Sequence, residues 1–179
     1  YVQQDIFLFA GDVAANIRLG ALLDDAAVQQ AVQQVGAGRV VDRLPQGLHT
    51  PLGERGTSVS VGERQLLSFA RAVAADPELL ILDEATSAVD SEIEGTIHAA
   101  LSTLMEGRTT IAIAHRLSTI TAATEIVVLH HGAVAERGSH AALLRASGLY
   151  AKLYRLQSGD IRNEPDAGLG RLPGERRDG

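Results

Sequence analysis

The feature that most constrains the fold is a run of four apolar residues, LLIL at 79–82, which ends on Asp83 and Glu84. The run follows Asp76-Pro77 and is continuous rather than alternating, which predicts a strand buried on both faces of a parallel sheet. Ligands of such sheets bind at the carboxyl ends of the strands. Because an unpaired carboxylate is costly to bury, we expect the two acids at an open, ligand-binding edge.

An amphipathic helix precedes this strand. Its apolar stripe has helical spacing and comprises Leu66, Leu67, Phe69, Ala70 and Val73. Ser60 stands at the N-cap position and Gly62 in the first turn. The first turn of a helix has unpaired amides and a partial positive charge, so it can bind an anion. A serine at this position can equally be a simple cap, and the residues by themselves leave both roles open.

Other elements follow from the same patterns. Residues 109–114 predict a second buried strand, and His115 lies at its carboxyl end. Helices are predicted after Asp12 and after Asp24-Asp25, the second of them stopping at Gly36. Ser91 and Glu94 have capping-box spacing and precede an apolar stripe that comprises Ile93, Ile97, Ala100, Leu101 and Leu104.

The remaining segments are shorter. Residues 40–56 contain two prolines and several glycines, which predicts a connecting loop with one turn of helix. Strands at 125–129 and 133–136 flank His130-His131-Gly132 and predict a hairpin. Two closing helices are expected at 139–145 and 149–156, the second packing through Leu149, Leu153 and Leu156.

Composition excludes several classes of function. A net charge of −6 and 3% aromatic residues argue against a nucleic-acid surface, which needs a basic stripe or stacking rings. The absence of cysteine excludes a disulfide framework or a thiol nucleophile. Adjacent histidines on a strand point to opposite faces, which argues against a metal site at His130, His131 and His140. No run of residues has the length and apolarity of a transmembrane helix, and the chain opens on Tyr1 without a signal-peptide pattern.

The order of these motifs resembles ATP-binding cassette (ABC) ATPases of the exporter type. Residues 2–5, VQQD, with IFLFAGDVAANIRLG after them, resemble the Q-loop and the start of the helical subdomain. LGERG at 52–56 resembles the exporter loop before the signature motif. VSVGE at 59–63, LLILDE at 79–84, SAVD at 87–90 and IAIAHRLS at 111–118 resemble the signature, Walker B strand, D-loop and switch-histidine segment.

The resemblance implies an α/β fold, an incomplete P-loop NTPase (RecA-like) core with an inserted helical subdomain. Residues 1–10 would be the Q-loop segment, 11–76 the helical subdomain with the signature motif and 77–157 the C-terminal part of the core. Residues 158–179, rich in Gly, Pro, Arg and acids, are expected to be a disordered tail.

The resemblance also implies ATP and Mg²⁺ as ligands and assigns a role to each motif residue. Asp83 would hold Mg²⁺, Glu84 would polarise the attacking water, and His115 would bond the γ-phosphate. Gln4 would contact both Mg²⁺ and the water. The nucleotide of a partner domain would be contacted by the signature and D-loop residues Ser60, Gly62, Glu63 and Asp90. Taken as residues alone, Gln4 can also be an ordinary loop residue, Asp90 a helix cap and His115 a structural histidine.

The implied partners are a second nucleotide-binding domain in a head-to-tail dimer and the coupling helices of a transmembrane domain, without nucleic acid. Glu54 would contact those helices. The implied location is the cytoplasmic face of a cell membrane, as part of an exporter.

Two departures qualify the resemblance. The signature reads VSVGE rather than LSGGQ, so Val61 restricts the backbone and Glu63 adds an anion near a triphosphate, although Glu63 can also serve the first helical turn. Lys152 is the only lysine in the sequence and Ala151 precedes it, so no G-x-x-x-x-G-K-[ST] loop is present. We therefore expect a domain truncated before the Q-loop, inactive by itself.

Two other classes stay open at this point. A chromosome-maintenance or repair ATPase shares the signature and Walker B motifs, but IFLFAGDVAANI and Glu54-Arg55-Gly56 have the exporter form. A non-catalytic remnant or regulatory module could complete another protein's site through Ser60.

Overall fold

The structure is a computed structural model that describes residues 1–3, 6–53, 59–83, 91–113 and 120–158. At residues 91 and 92 it describes the backbone but not the side chains. Contacts divide the chain into two compact units, Tyr1–Thr119 and Ile120–Gly179. The predicted division into four functional segments is finer than this and stays a prediction.

The first unit contains most of the predicted elements. In chain order they are β1 (Gly11–Asp12), α1 (Val13–Arg18), α2 (Asp25–Gln34), α3 (Gly38–Asp42), a 3-10 helix (Gly47–His49), β2 (Pro51–Leu52), α4 (Val61–Ala74), β3 (Leu79–Asp83), α5 (Ser91–Met105) and β4 (Thr109–Ile113). Strands β1 and β2 form a short antiparallel pair. Strands β3 and β4 pair in parallel, from Leu79 opposite Thr109 to Asp83 opposite Ile113.

The helix starts confirm the predicted caps. The Asp12 carboxylate accepts a hydrogen bond of 2.6 Å from the Ala15 amide, and Asp24 accepts one of 2.8 Å from Ala27. Each bond satisfies an amide that helix geometry leaves without a partner. Gly36, with φ of +67°, stands just beyond the end of α2, where the left-handed backbone favours glycine.

One apolar core joins the helices to the sheet. The predicted stripes of α4 and α5 are buried, and they share a cluster with Leu80 and Leu82 of β3. Ile93 is partly buried against the same cluster. The helical periodicity was therefore sufficient to identify the buried faces of both helices.

The prediction that β3 and β4 are buried on both faces was wrong. Leu80 and Leu82 are buried, but Leu79 is half-exposed, and Ile111 and Ile113 of β4 are 54% and 53% exposed. The side chains of β3 alternate between faces, and α4 and α5 pack with Leu80 and Leu82. Within the part of the chain that the structure describes, no comparable layer buries Leu79, Ile111 and Ile113.

The segment from 40 to 56 is also more structured than predicted. It contains the end of α3, the 3-10 helix and β2, whose pairing with β1 places Leu52 opposite Gly11. A strand of two residues is too short to show an alternation of apolar and polar residues. It is recognised only from its pairing with a distant strand. Residues 54–56 lie outside the described ranges.

The described part of the second unit includes a hairpin followed by two helices. It contains β5 (Ile126–His130), β6 (Ala133–Gly138), α6 (His140–Ala146) and α7 (Leu149–Ser158). The predicted hairpin is confirmed, with His131 and Gly132 both at positive φ in the turn. The Glu136 carboxylate accepts bonds from the Leu149 and Tyr150 amides and so caps α7.

The predicted packing of α7 through Leu153 and Leu156 was wrong, since both side chains are exposed. Tyr150 and Ala151 are buried instead, and Leu149 and Tyr154 are partly buried against the cluster of Ile126, Val128 and Leu143. Leucine spacing identifies one possible apolar face of α7, but the tyrosines form a second face beside it. The spacing does not decide which of the two faces packs against the hairpin. None of the helices in the described ranges is long and apolar enough to cross a membrane.

The core makes a prediction about stability. Leu67 is 1% exposed, so Leu67→Ala should lower the free energy of unfolding by about 3 kcal/mol through lost burial and a residual cavity. Urea denaturation followed by circular dichroism measures the change. Leu22→Ala, at a fully exposed leucine, is the matched control and should change the free energy by less than about 0.5 kcal/mol. Equal losses in both variants would contradict the assigned core.

The second unit predicts a pH-dependent contact. Arg137 donates two hydrogen bonds to the Glu125 carboxylate, 2.7 and 2.8 Å long, and this contact lowers the pKa of Glu125. Its stabilisation is therefore present above the ordinary pKa of a glutamate and is lost as the pH falls through the lowered value. In an NMR titration, Glu125 should have a midpoint below that of an unpaired glutamate, and Arg137→Gln should remove the difference. An unchanged midpoint in the variant would refute the pairing.

Candidate functional site

Three parallel segments end at one edge of the sheet in the first unit. The Val2 amide donates to the Ile81 carbonyl at 2.8 Å, and the Asp83 amide donates to the Val2 carbonyl at 2.9 Å. Strand β3 therefore lies between Val2 on one side and β4 on the other, with Asp83 opposite Ile113. The chain leaves all three segments in the same direction, as at the ligand-binding edge of an α/β sheet.

Asp83 is the described carboxylate at this edge. Its side chain is partly buried, and the Tyr1 hydroxyl donates a hydrogen bond to its Oδ2 at 2.8 Å. This bond, followed by burial and by the carboxylate charge, raises the pKa of Tyr1. The carboxylate is thus within reach of a donor from the neighbouring segment, and its oxygens are of the type that Mg²⁺ prefers.

The start of α4 is the second part of the candidate site. The Ser60 hydroxyl accepts a hydrogen bond from the Glu63 amide at 3.2 Å, and Glu63 Oε2 accepts one from the Ser60 amide at 2.8 Å. This reciprocal capping box leaves the amides of Val61 and Gly62 without intrahelical acceptors. The Ser60 side chain is exposed and its hydroxyl proton remains available for donation. The turn can therefore bind an anion while the cap stays formed.

Glu63 has a second partner. Its Oε1 forms an ion pair with Arg43, which directly follows α3, and the Arg43 Nε donates to the Arg39 carbonyl at 3.2 Å. The predicted role of Glu63 in the first helical turn is confirmed, because its carboxylate accepts the Ser60 amide in the capping box. Beside this ion pair is a cavity of about 690 Å³, lined by Gly36, Arg39, Val40, Asp42, Arg43, Ser60, Glu63, Leu66, Ile93 and Thr96.

A polar network that the sequence reasoning missed joins α4 to the segment at 7–16. Arg71 of α4 donates to the Asn16 carbonyl at 2.8 Å, to Asn16 Oδ1 at 3.2 Å and to the Phe7 carbonyl at 3.2 Å. Asn16 is buried and also bonds both the amide and the carbonyl of Phe9. Burial lowers the pKa of Arg71. The sequence signal is weak, since an arginine beside an apolar stripe usually lies in solvent.

The predicted site residues thus fall into three sets. Asp83 lies at the carboxyl edge of the sheet, and Ser60, Gly62 and Glu63 lie together at the start of α4. The third set lies outside the described residues and comprises Gln4, Glu84, Asp90 and His115, together with Glu54. Among the described residues, no group of three or more histidines and acids could hold a metal ion. Asp83 alone fits Mg²⁺ only as one ligand among waters and other oxygens.

Comparison with known proteins identifies the fold. The profile of the ABC transporter family matches residues 1–87. The chain is 53% identical over 161 residues to an ATP-dependent lipid A-core flippase of Cupriavidus pinatubonensis, covering 88% of the chain and 27% of that protein. It is 46% identical over 159 residues to a probable multidrug resistance ABC transporter ATP-binding/permease protein of Bacillus subtilis, covering 88% and 24%.

A solved structure gives the same result. The structure of a bacterial Atm1-family ABC exporter with ATP bound is 41% identical and superposes with a TM-score of 0.78, over 87% of this chain and 27% of that one. The fold is therefore that of an ABC ATPase. The chain belongs to the ABC transporter family, in the ATP-binding domain, and its relatives are of the exporter type. It spans about a quarter of the length of the relatives that it matches.

The Arg71 network generates a testable prediction. A lysine ammonium cannot serve both oxygens of Asn16 and the Phe7 carbonyl with the planar geometry of a guanidinium. Arg71→Lys should therefore lower the free energy of unfolding by about 1–2 kcal/mol, measured by urea denaturation. Arg155→Lys, at an exposed position of α7, is the control and should have almost no effect. Equal stability of Arg71→Lys and the native chain would show that the network does not hold the segment.

Proposed function

We propose that the chain is part of the ATP-binding and ATP-hydrolysing domain of an exporter, which uses ATP to move a substrate across a membrane. The observation that carries the proposal is the parallel arrangement of Val2, β3 and β4 around Asp83. Gln4 follows Val2 by two residues, Glu84 follows Asp83 directly, and His115 follows Ile113 by two residues. We infer from this connectivity that the four groups act together at one end of the sheet.

The proposed roles match the chemistry of phosphoryl transfer. Mg²⁺, when bound, would neutralise charge on the β- and γ-phosphates, with Asp83 and Gln4 as its ligands from this chain. Glu84 accepts a hydrogen bond from the attacking water and orients it in line with the γ-phosphate. His115 donates to the γ-phosphate and holds that geometry. These groups do little covalent chemistry, because phosphoryl transfer depends mainly on positioning and electrostatics.

A second nucleotide-binding domain completes the proposal. Ser60 and Gly62 offer a hydroxyl and backbone amides at a helix start, which suits the terminal phosphate of a nucleotide. We infer that this nucleotide is held by the partner domain in a head-to-tail dimer, with Glu63 in the same turn and Asp90 of the D-loop at the interface. The helical subdomain, including Glu54, faces the coupling helices of a transmembrane domain at the cytoplasmic face of the membrane.

The proposal is tested in the full-length protein that contains this chain. Glu84→Gln removes the group that orients the water but keeps its size, so ATP hydrolysis should fall on the order of a thousandfold. ATP-driven dimerisation of the nucleotide-binding domains should persist. A steady-state phosphate-release assay and crosslinking across the dimer measure the two properties.

The matched control is Glu106→Gln, the same chemical change at an exposed glutamate of the first unit. It should leave both hydrolysis and dimerisation unchanged. Unchanged turnover in Glu84→Gln would exclude the role proposed for this residue. Loss of dimerisation together with hydrolysis would indicate a structural role instead.

A further inference from the structure

We propose that Arg43 is a positioning residue of the signature turn, which holds Glu63 in the capping box and offsets its charge so that Ser60 and Gly62 can accept a phosphate. The inference rests on the proposed function, because it concerns how the same turn binds nucleotide. It assigns a role to a residue that lies outside every motif named above and is 20 positions from its partner.

The two oxygens of the Glu63 carboxylate have different tasks. Oε2 accepts the Ser60 amide at 2.8 Å and so closes the cap, while Oε1 pairs with the Arg43 guanidinium. The Glu63 side chain is 17% exposed, which limits the water available to its charge. Because both oxygens are engaged, the carboxylate is directed to the cap and to Arg43 rather than toward Ser60 Oγ.

Charge explains why this turn needs a partner. A glutamate in the first turn is favourable for the helix, because it complements the partial positive charge of the unpaired amides. The same negative charge opposes an incoming phosphate, which seeks those amides. A cation paired to the outer carboxylate oxygen reduces this repulsion while leaving the cap in place. Arg43 is itself held by its Nε bond to the Arg39 carbonyl, so its guanidinium is oriented before any ligand arrives.

Arg39 provides a comparison within the same cavity. Both arginines line the cavity beside Ser60, and removal of either takes away one positive charge. The ion pair with Glu63 is formed by Arg43. A general attraction of anions to the cavity would thus involve both residues, whereas compensation of Glu63 is specific to Arg43.

The test is a double-mutant cycle in the full-length protein, with KM for ATP and kcat for hydrolysis as readouts. Glutamine at position 63 keeps the capping-box bond without the charge, so Glu63→Gln retains the turn. Arg43→Gln should raise KM about three- to fivefold with kcat nearly unchanged, the size expected for one partly exposed ion pair. In the Glu63→Gln background, Arg43→Gln should leave KM unchanged.

Salt and two further variants separate charge compensation from a structural effect. The rise in KM of Arg43→Gln should shrink at high ionic strength, because salt screens the repulsion between the Glu63 charge and an incoming phosphate. Arg43→Lys should recover most of the native KM, and Arg39→Gln should leave KM unchanged. Thermal melting of each variant checks that the domain remains folded.

The outcomes are distinct. A KM rise in Arg43→Gln that persists in the Glu63→Gln background, or that Arg39→Gln reproduces, would overturn the assignment. An unchanged KM in Arg43→Gln would overturn it as well. If the native full-length protein does not hydrolyse ATP, the proposed function fails. If it does and only the cycle shows no coupling, the role of Arg43 fails alone.

Discussion

Backbone pairing on both edges of β3 is the constraint on which the candidate site depends. Strand β3 bonds to Val2 on one edge and to β4 on the other, and all three run in parallel. Parallel strands direct their carboxyl ends to one edge of a sheet, so Val2, β3 and β4 end at the same edge. Asp83 lies there, at the end of β3. The burial of Leu80 and Leu82 against α4 and α5 holds this strand in position.

The start of α4 combines two requirements that compete for the same amides. A helix is more stable when its first turn is capped and carries an acid, and Ser60 and Glu63 supply both in α4. A phosphate-binding turn needs free amides and little negative charge. The capping box engages the amides of Ser60 and Glu63 but leaves those of Val61 and Gly62, and the Arg43 ion pair offsets the acid. In the function proposed above, one turn thereby serves both helix stability and ligand binding.

The Arg71 network connects α4 to the segment at 7–16. Arg71 and Asn16 satisfy the backbone polar groups of Phe7 and Phe9, which lie in a segment without regular secondary structure. Such a segment has no ladder of strand hydrogen bonds, and here the side chains of Arg71 and Asn16 are the partners of its backbone groups. A hydrogen-bonded connection between α4 and the segment at 7–16 is the physical consequence.

The sequence by itself determined the local structure. Caps at Asp12, Asp24 and Ser60, the apolar stripes of α4 and α5 and the turn at His131-Gly132 were predictable, because each depends on residues within one or two helical turns or one hairpin. The order of motifs also predicted the ABC family.

Tertiary structure decided everything that requires a distant partner. The exposure of Ile111 and Ile113 was not predictable, because an apolar run indicates a strand but not which layers cover it. The contacts of Arg43 with Glu63 and of Arg71 with Asn16 join residues 20 and 55 positions apart. No periodicity encodes such pairs, since they depend on which surfaces of separate helices come together when the core is buried.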